Sequence, residues 1–597
     1  MKKTKIALLL SASLALGGCF SGGDDGATGP QGAQGVPGEN GLPGTSAPIG
    51  IDVSLIGRAV LNVEDAEGAA EIVGYQISKN WLYAINSSTE TPTVNIIDLT
   101  DMDSEALTVD EEGVVNDTNL TIAMTIDVAE NTDGDANSIA INNTFDILAV
   151  AMAADETGTA GQVAFYDIAG AQPQFIKNIT VGYLPDAVAF SPNGRSLVVA
   201  NEGEPSGDYT VDPEGSISII KLDENGVIEN MATNITFDSY NMVQAELEAQ
   251  GMKFTNPDGR VIKGQTLDIS VSMDLEPEYV AISDDSKTAY VSLQENNGLA
   301  IVDIETATVN IKGLGFKDWS VYSLDASDKD DGVNLRTYPN LMGLYQPDTI
   351  ATLSWQGANF VVTANEGDGR EYFFDSADEA SCLADGGLDF DEDDGCLSYI
   401  DEIRAEDLTL GSAFDDINND DSDLGRLKVI EPLGDDNNDG IHEALYTYGA
   451  RSFSIFDQNG NLVFDSGDDF ERITASIHGD NFNNDEDENK GDTRSDAKGP
   501  EPEALAIGEV GSKRYAFIGL ERMAGIMVYD VSNPYDVNFV DYFINRGLNE
   551  DQEITGDLAP EGMSFISADN SPTGEALLVI GNEISGSVSV WQIAETF

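Results

Sequence analysis

A short cycle recurs along most of this chain and restricts the folds open to it. Each copy begins with Pro-Glu or Pro-Asp and a short apolar strand. It turns into a second apolar strand ending in Asn-Glu-Gly or a relative of it, then adds a third that closes on an aspartate. The clearest copy is Pro185-Asp186-Ala187-Val188-Ala189-Phe190, then residues 197–203, then 216–220. Others open at Pro277-Glu278, Pro347-Asp348, Pro502-Glu503 and Pro560-Glu561. Their central glutamates are Glu202, Glu295, Glu366, Glu521 and Glu583. The interval from Glu366 to Glu521 is about twice the others, so a degenerate cycle is expected inside it, and residues 446–451 followed by 453–457 fit. Weaker cycles surround residues 82–86 and 148–151. Strand units that cannot bury themselves alone, stacked radially, describe an all-β propeller. The expectation is seven or eight blades over residues 50–597, with acidic loop insertions near 373–424 and 479–499. Two β-sandwiches are the alternative.

Residues 1–49 cannot belong to that body. Lys2, Lys3 and Lys5 precede an apolar stretch, residues 6–16, and then Gly17-Gly18-Cys19. This has the zones of a signal peptide over 1–18. The cysteine after Leu16-Gly17-Gly18 resembles a bacterial lipobox, which marks Cys19 for lipidation and implies an extracytoplasmic protein at the outer membrane or cell surface. An ordinary signal peptide with an incidental cysteine is the alternative. Over 19–49, glycine recurs at Gly26, Gly29, Gly32, Gly35, Gly38, Gly41 and Gly44. Such a collagen-like Gly-X-Y run serves either as a flexible tether or as a trimerising stalk. The remaining cysteines, Cys382 and Cys396, are expected to form a disulfide, since an exported chain rarely keeps free thiols.

Charge narrows the function. Among 597 residues, 107 are acidic and 29 basic, a formal charge of −78. Nucleic-acid binding needs a basic footprint and is excluded as a general role; contact with the membrane is expected through the lipid alone. The two histidines, His442 and His478, leave little for His-rich zinc sites or a Ser-His-Asp mechanism. Chemistry here would run on carboxylates, arginines and a hard cation.

Longer motifs resemble the choice-of-anchor I domain family of bacteria. They include Asn201-Glu202-Gly203-Glu204-Pro205, residues 209–216, Asp274-Leu275-Glu276-Pro277-Glu278-Tyr279, Thr363-Ala364-Asn365-Glu366-Gly367-Asp368, Gly449-Ala450-Arg451-Ser452-Phe453-Ser454-Ile455 and Gly499-Pro500-Glu501-Pro502-Glu503. The resemblance covers nearly all of 55–593. It implies a domain shared among proteins with different anchors, and some relatives carry alkaline-phosphatase or phytase-like labels. Relatives often have His after Gly-Phe-Lys-Asp; Trp319 stands there in this chain.

In a propeller, equivalent positions at strand ends ring the central channel. Glu202, Glu295, Glu366, Glu521 and Glu583 would form one ring, and Asp186, Glu278, Asp348, Glu503 and Glu561 a second. Crowded carboxylates need a counter-charge, and calcium is the natural one. Alternatively, each carboxylate caps turn amides of a neighbouring blade. Arg370, Arg451 and Arg522 each follow a second strand, where they would either bind an anionic ligand bidentately or pair with glutamates between blades. One calcium loop is more specific. Asp435, Asn437, Asp439, the Ile441 carbonyl and Glu443 match the start of an EF-hand loop, but Tyr446 stands where its last glutamate belongs; a solvated acidic turn is the alternative. The preferred reading is a lipid-anchored propeller that binds calcium and an unknown ligand or surface partner at the channel face. The alternative is a calcium-dependent phosphoesterase.

Overall fold

The computed structural model describes residues 50–596, apart from 62–65, 89–90, 331 and 551. The expected signal peptide, Cys19 and the Gly-X-Y run lie outside the described residues. Within them the chain forms seven four-stranded antiparallel sheets. In chain order, blade 1 runs Val73–Gln76, Trp81–Asn86, Thr93–Asp98 and Ile122–Asp127, and blade 2 spans 135–183. Blade 3 is Pro185–Phe190, Ser196–Asn201, Ser216–Lys221 and Thr233–Thr236, and blade 4 spans 280–313. Blade 5 is Ile350–Trp355, Ala358–Asn365, Ser452–Asp457 and Leu462–Asp465; blade 6 spans 502–544. Blade 7 takes Pro560–Ile566, Ala576–Asn582 and Ser587–Thr596, and its outer strand is the N-terminal Gly50–Val60. The innermost strand of each blade packs on the next, and blade 7 returns to blade 1. The ring is a seven-bladed propeller.

Burial explains why the middle strands read as continuous apolar runs rather than alternating ones. Both faces of a blade are covered by neighbours. Along Ser196–Asn201, Leu197 and Val199 face the core shared with blade 2, while Val198 and Ala200 face the core shared with blade 4. A separate apolar cluster fills each of the seven blade junctions.

The structure corrects the eighth cycle. Residues 452–457 pair with Ala358–Asn365 as the third strand of blade 5. An insertion, 366–451, interrupts that blade after its second strand, so one blade reads as two cycles. The insertion and segment 314–349 share a core around Trp319, Leu341, Phe414 and Leu445. Nearby, Cys382 and Cys396 are disulfide-bonded with Cα atoms 5.3 Å apart, packed with Ile262 and Phe374.

The two ends of the chain close the ring. Besides the ladder from Gly50–Thr596 to Val60–Ser587, Arg58 locks the closing strand from the side. It donates to Asp557 Oδ1 (2.7 Å), to the Gly556 carbonyl (2.8 Å) and to the Asn116 carbonyl (3.0 Å). Asn545 donates to the other Asp557 oxygen at 2.7 Å. Removing one partner of a buried pair strands the other charge, at a cost of about 3–5 kcal/mol. Arg58→Ala is therefore expected to lower unfolding stability by about that much, read as an earlier denaturant midpoint; an unchanged midpoint would show that the ladder alone holds the closure.

Candidate functional site at the channel mouth

The strand register decides where the repeated acids go. Pro185 pairs with Asn201, Pro502 with Leu520 and Pro560 with Asn582. The acid after each proline and the acid after each second strand thus lie at the same end of the channel. In these three blades the register slips directly after that pair, and such a bulge re-aims side chains. The residue before the proline is left-handed in four blades: Leu184, Gln346, Glu501 and Ala559 have φ between 41° and 59°. That conformation costs a residue other than glycine on the order of 1–3 kcal/mol. An axial cavity of about 340 Å³ is lined by Glu71, Asp186, Tyr279, Asp348 and Glu561, with Asn137.

The repeated asparagine and the glutamate after it have different duties. Asn201 donates to the Ser216 carbonyl (3.1 Å) and Ser218 hydroxyl (2.9 Å). Asn365 donates to the Ser454 hydroxyl (2.8 Å) and Asn582 to the Ser587 carbonyl (3.1 Å). The asparagine ties the second strand to the third. By contrast, no hydrogen-bond donor among the described residues reaches the side chains of Glu202, Glu295 and Glu583, so these glutamates do not cap turn amides. The two expected rings interleave as one. Single oxygens of Glu71, Glu561 and Glu583 lie within 4.8 Å of one another, as do those of Asp348, Glu366 and Glu503, of Glu202, Glu204 and Glu295, and of Glu366, Glu501 and Glu521. One carboxylate oxygen on each of Glu278, Glu295, Glu503, Glu521 and Glu561 is buried without a hydrogen-bond partner.

Burial, and then the charge of neighbouring carboxylates, pushes these groups up. Glu202, Glu278, Glu503 and Glu561 are held well above the usual carboxylate range. Burial raises Asp186 to about 7, and burial with the nearby charge of Glu583 raises Glu71 to about 7.

Basic residues serve one sector of the mouth. Lys498 meets Glu366, and Glu501 at 3.5 Å. Arg494 meets Glu501 at 2.6 Å. Arg522 meets Glu501 at 3.3 Å, Glu521 at 3.1 Å and also Glu486. Beside this sector, Lys428, Arg494 and Lys498 line a pocket of about 150 Å³ with Asp368 and Tyr448.

Two expected channel-face arginines are elsewhere. Arg451 is 1% exposed, bound to Glu471 at 2.7 Å and to the carbonyls of Asp325, Ser495 and Ala497. Arg370 is 3% exposed, held by Asp274 at 2.7 Å and Glu276 at 2.6 Å. Both act as buried ties between the insertion and neighbouring segments, because carbonyls and carboxylates take up their terminal guanidinium nitrogens, while each Nε is buried without a partner. In the predicted calcium loop the acids accept local amides. Asp435 accepts the amides of Asp439 (3.0 Å) and Gly440 (2.8 Å), Asp439 accepts that of Ile441 (3.0 Å), and Asn437 donates to Glu443 (3.1 Å). Asp435, Asp439 and Glu443 do not bring their oxygens together as the channel triads do.

The choice-of-anchor I domain model matches residues 71–534. The chain belongs to the choice-of-anchor I domain family. It is 27% identical over 351 residues to a mesenchyme-specific cell surface glycoprotein of Strongylocentrotus purpuratus, covering 55% of this chain and 44% of that protein. It is 29% identical over 184 residues to gigasin-3a of Magallana gigas, covering 28% of this chain and 64% of that one. The chain thus spans less than two thirds of either relative. Among solved structures, the WD40 domain of Toxoplasma gondii coronin aligns with a TM-score of 0.43 at 8% identity, over 92% of this chain and 88% of that one.

The choice-of-anchor I domain places further acids at the mouth that the repeat count misses. Glu204 and Asp368 each stand two residues beyond a central glutamate, a Glu-Gly-acid spacing visible in the sequence. Gly203 makes this possible: at φ 76° it reverses the chain, and a Cβ there would lie 2.8 Å from the Gly215 nitrogen. Glu71 lacks the proline that marks its counterparts.

The raised acids set the sign of the pH dependence. Glu71, Asp186 and Asp212 are lifted to about 7 and Asp325 to about 8, chiefly by burial. Such groups bind protons more tightly folded than unfolded. Their stabilisation is full below the unfolded value near 4 and is lost as pH rises through 7 to 8. His478, pushed down to about 4 by burial, opposes them below its ordinary value, but one group does not outweigh four. In chelator, the melting temperature is expected to rise from pH 8 to pH 5; a fall over that interval would contradict the burial of these carboxyls.

Proposed function

We propose that this protein is a lipid-anchored, extracytoplasmic β-propeller that holds calcium at its channel mouth and there engages an anionic ligand or surface partner. The observation that carries the reading is the set of buried carboxylate oxygens without partners, contributed by blades 4, 6 and 7 to one mouth. Oxygen donors alone favour a hard cation, and calcium accepts irregular carboxylate sets that magnesium, which demands near-octahedral geometry, does not. The neighbouring bases Lys498, Arg494 and Arg522 supply the complementary charge for an anionic ligand. Surface placement is supported by the lipobox sequence at Cys19, by the anchor-swapping character of the family and by a relative that is a cell surface glycoprotein.

Phosphoester hydrolysis has less support, because Arg370 and Arg451, two of the three arginines it would use, are enclosed. The deciding experiment is a thermal melt of the full-length chain in chelator and in calcium, run beside an aryl phosphate assay. Calcium is expected to stabilise the fold by about 2.7 kcal/mol at a hundredfold excess over its Kd, with magnesium doing less and no hydrolysis above background. An absent calcium shift would sink the binding reading. Calcium-dependent turnover, lost in both Glu366→Gln and Arg522→Ala, would replace it with catalysis.

A further inference from the structure

We infer that a calcium ion sits between blades 3 and 4 on Glu202, Glu204 and Glu295, an assignment that rests on the calcium reading above. Five groups of three carboxylates among the described residues bring oxygens within 4.8 Å of one another, and the positive charge in contact with each separates them. Glu366, Glu501 and Glu521 share Lys498, Arg494 and Arg522. Asp348, Glu366 and Glu503 share Lys498 through Glu366. Asp485, Glu486 and Asp487 meet Arg494 and Arg522. Glu71, Glu561 and Glu583 contact no base, yet each is only half-buried, so water can screen their repulsion.

The remaining triad also lacks a contacting base, and it differs in that one member, Glu295, is buried rather than half-buried. Among the described residues no lysine or arginine contacts Glu202, Glu204 or Glu295. The Tyr372 hydroxyl, 3.4 Å from Glu204, is the one side-chain donor to the three. Arg370 makes its contacts with Asp274 and Glu276, and its charge acts on Glu204 only from a distance. Glu295 is 4% exposed, and its Oε2 has no hydrogen-bond partner. A buried carboxylate in that state must gain a counter-charge or give up its own. Three carboxylates supply about three to six of the six to eight oxygens that calcium takes, so positions remain for water or a ligand oxygen. The ion would also join two blades. Glu202 and Glu204 flank Gly203 at the end of blade 3, while Glu295 follows the second strand of blade 4. Loop 202–215 would then be fixed against blade 4, with Tyr372 of the insertion beside it.

The test is calorimetric titration of the chelator-treated full-length chain with calcium chloride, comparing wild type with Glu295→Gln and Glu204→Gln. Each variant is expected to lose one equivalent of calcium, or to weaken that site at least tenfold. Each is also expected to melt higher than wild type in chelator, because a like charge has been removed. The second readout separates a lost site from a misfolded chain. Glu204, half-buried on its loop, serves if Glu295→Gln fails to fold. Unchanged stoichiometry and affinity in both variants would overturn the assignment. So would loss of the equivalent in Glu583→Gln or Asp435→Asn while Glu295→Gln binds normally, although calcium binding itself would then stand. A wild type that takes up no calcium would remove both readings together.

Discussion

No blade of this molecule can bury its own apolar surface. Leu197 and Val199 need blade 2, and Val198 and Ala200 need blade 4; the same dependence runs through all seven junctions, so the sheet stack is stable only as a closed ring. Closure uses the N-terminal strand as the outer edge of the last blade, with Arg58 and Asp557 fastening it. The ring then dictates the electrostatics. Whatever residue ends the second strand of a blade is carried to the axis, and a repeat that ends in glutamate delivers glutamates there from several blades at once.

Crowded carboxylates have three ways to coexist: a shared proton, a basic partner or a metal ion. Different sectors of the mouth stand differently towards these. Asp186 and Glu71, lifted to about 7, are suited to keeping protons near neutrality. Glu366, Glu501 and Glu521 are neutralised by Lys498, Arg494 and Arg522. Glu202, Glu204 and Glu295 contact no base. The left-handed residues before Pro185, Pro347, Pro502 and Pro560 add backbone strain at the same end, where the blade junctions are tight enough to hold it.

The repeat, the strand order and the channel glutamates were legible in the sequence because period and turn chemistry are local properties. The blade count was not. An insertion between Asn365 and Ser452 makes one blade look like two, and no local pattern reveals that residues 452–457 pair back with 360–365. The arginines were ambiguous for a related reason: Arg370 and Arg451 follow second strands as Arg522 does, but only tertiary packing shows that carbonyls of segments outside the insertion hold them. The loop at Asp435 has the residues of a calcium turn, and its Asp435 and Asp439 carboxylates accept adjacent amides. Glu204 and Asp368 were readable, had the Glu-Gly-acid spacing been counted.

The insertions that read as acidic decoration supply most of the molecule's asymmetry. A repeat that brings only carboxylates to the axis cannot by itself distinguish one blade junction from another. Lys498 and Arg494 come from the segment between blades 5 and 6, and Arg370 from the insertion within blade 5. Lys498 and Arg494 stand over the sector of blades 5 and 6, while Arg370 is drawn away by Asp274 and Glu276. Among the described residues no base contacts the carboxylates at the junction of blades 3 and 4, although the charge of Arg370 acts on Glu204 from a distance. An approximately sevenfold ring of negative charge thereby becomes a mouth with one sector neutralised by bases and another whose carboxylates no base contacts among the described residues.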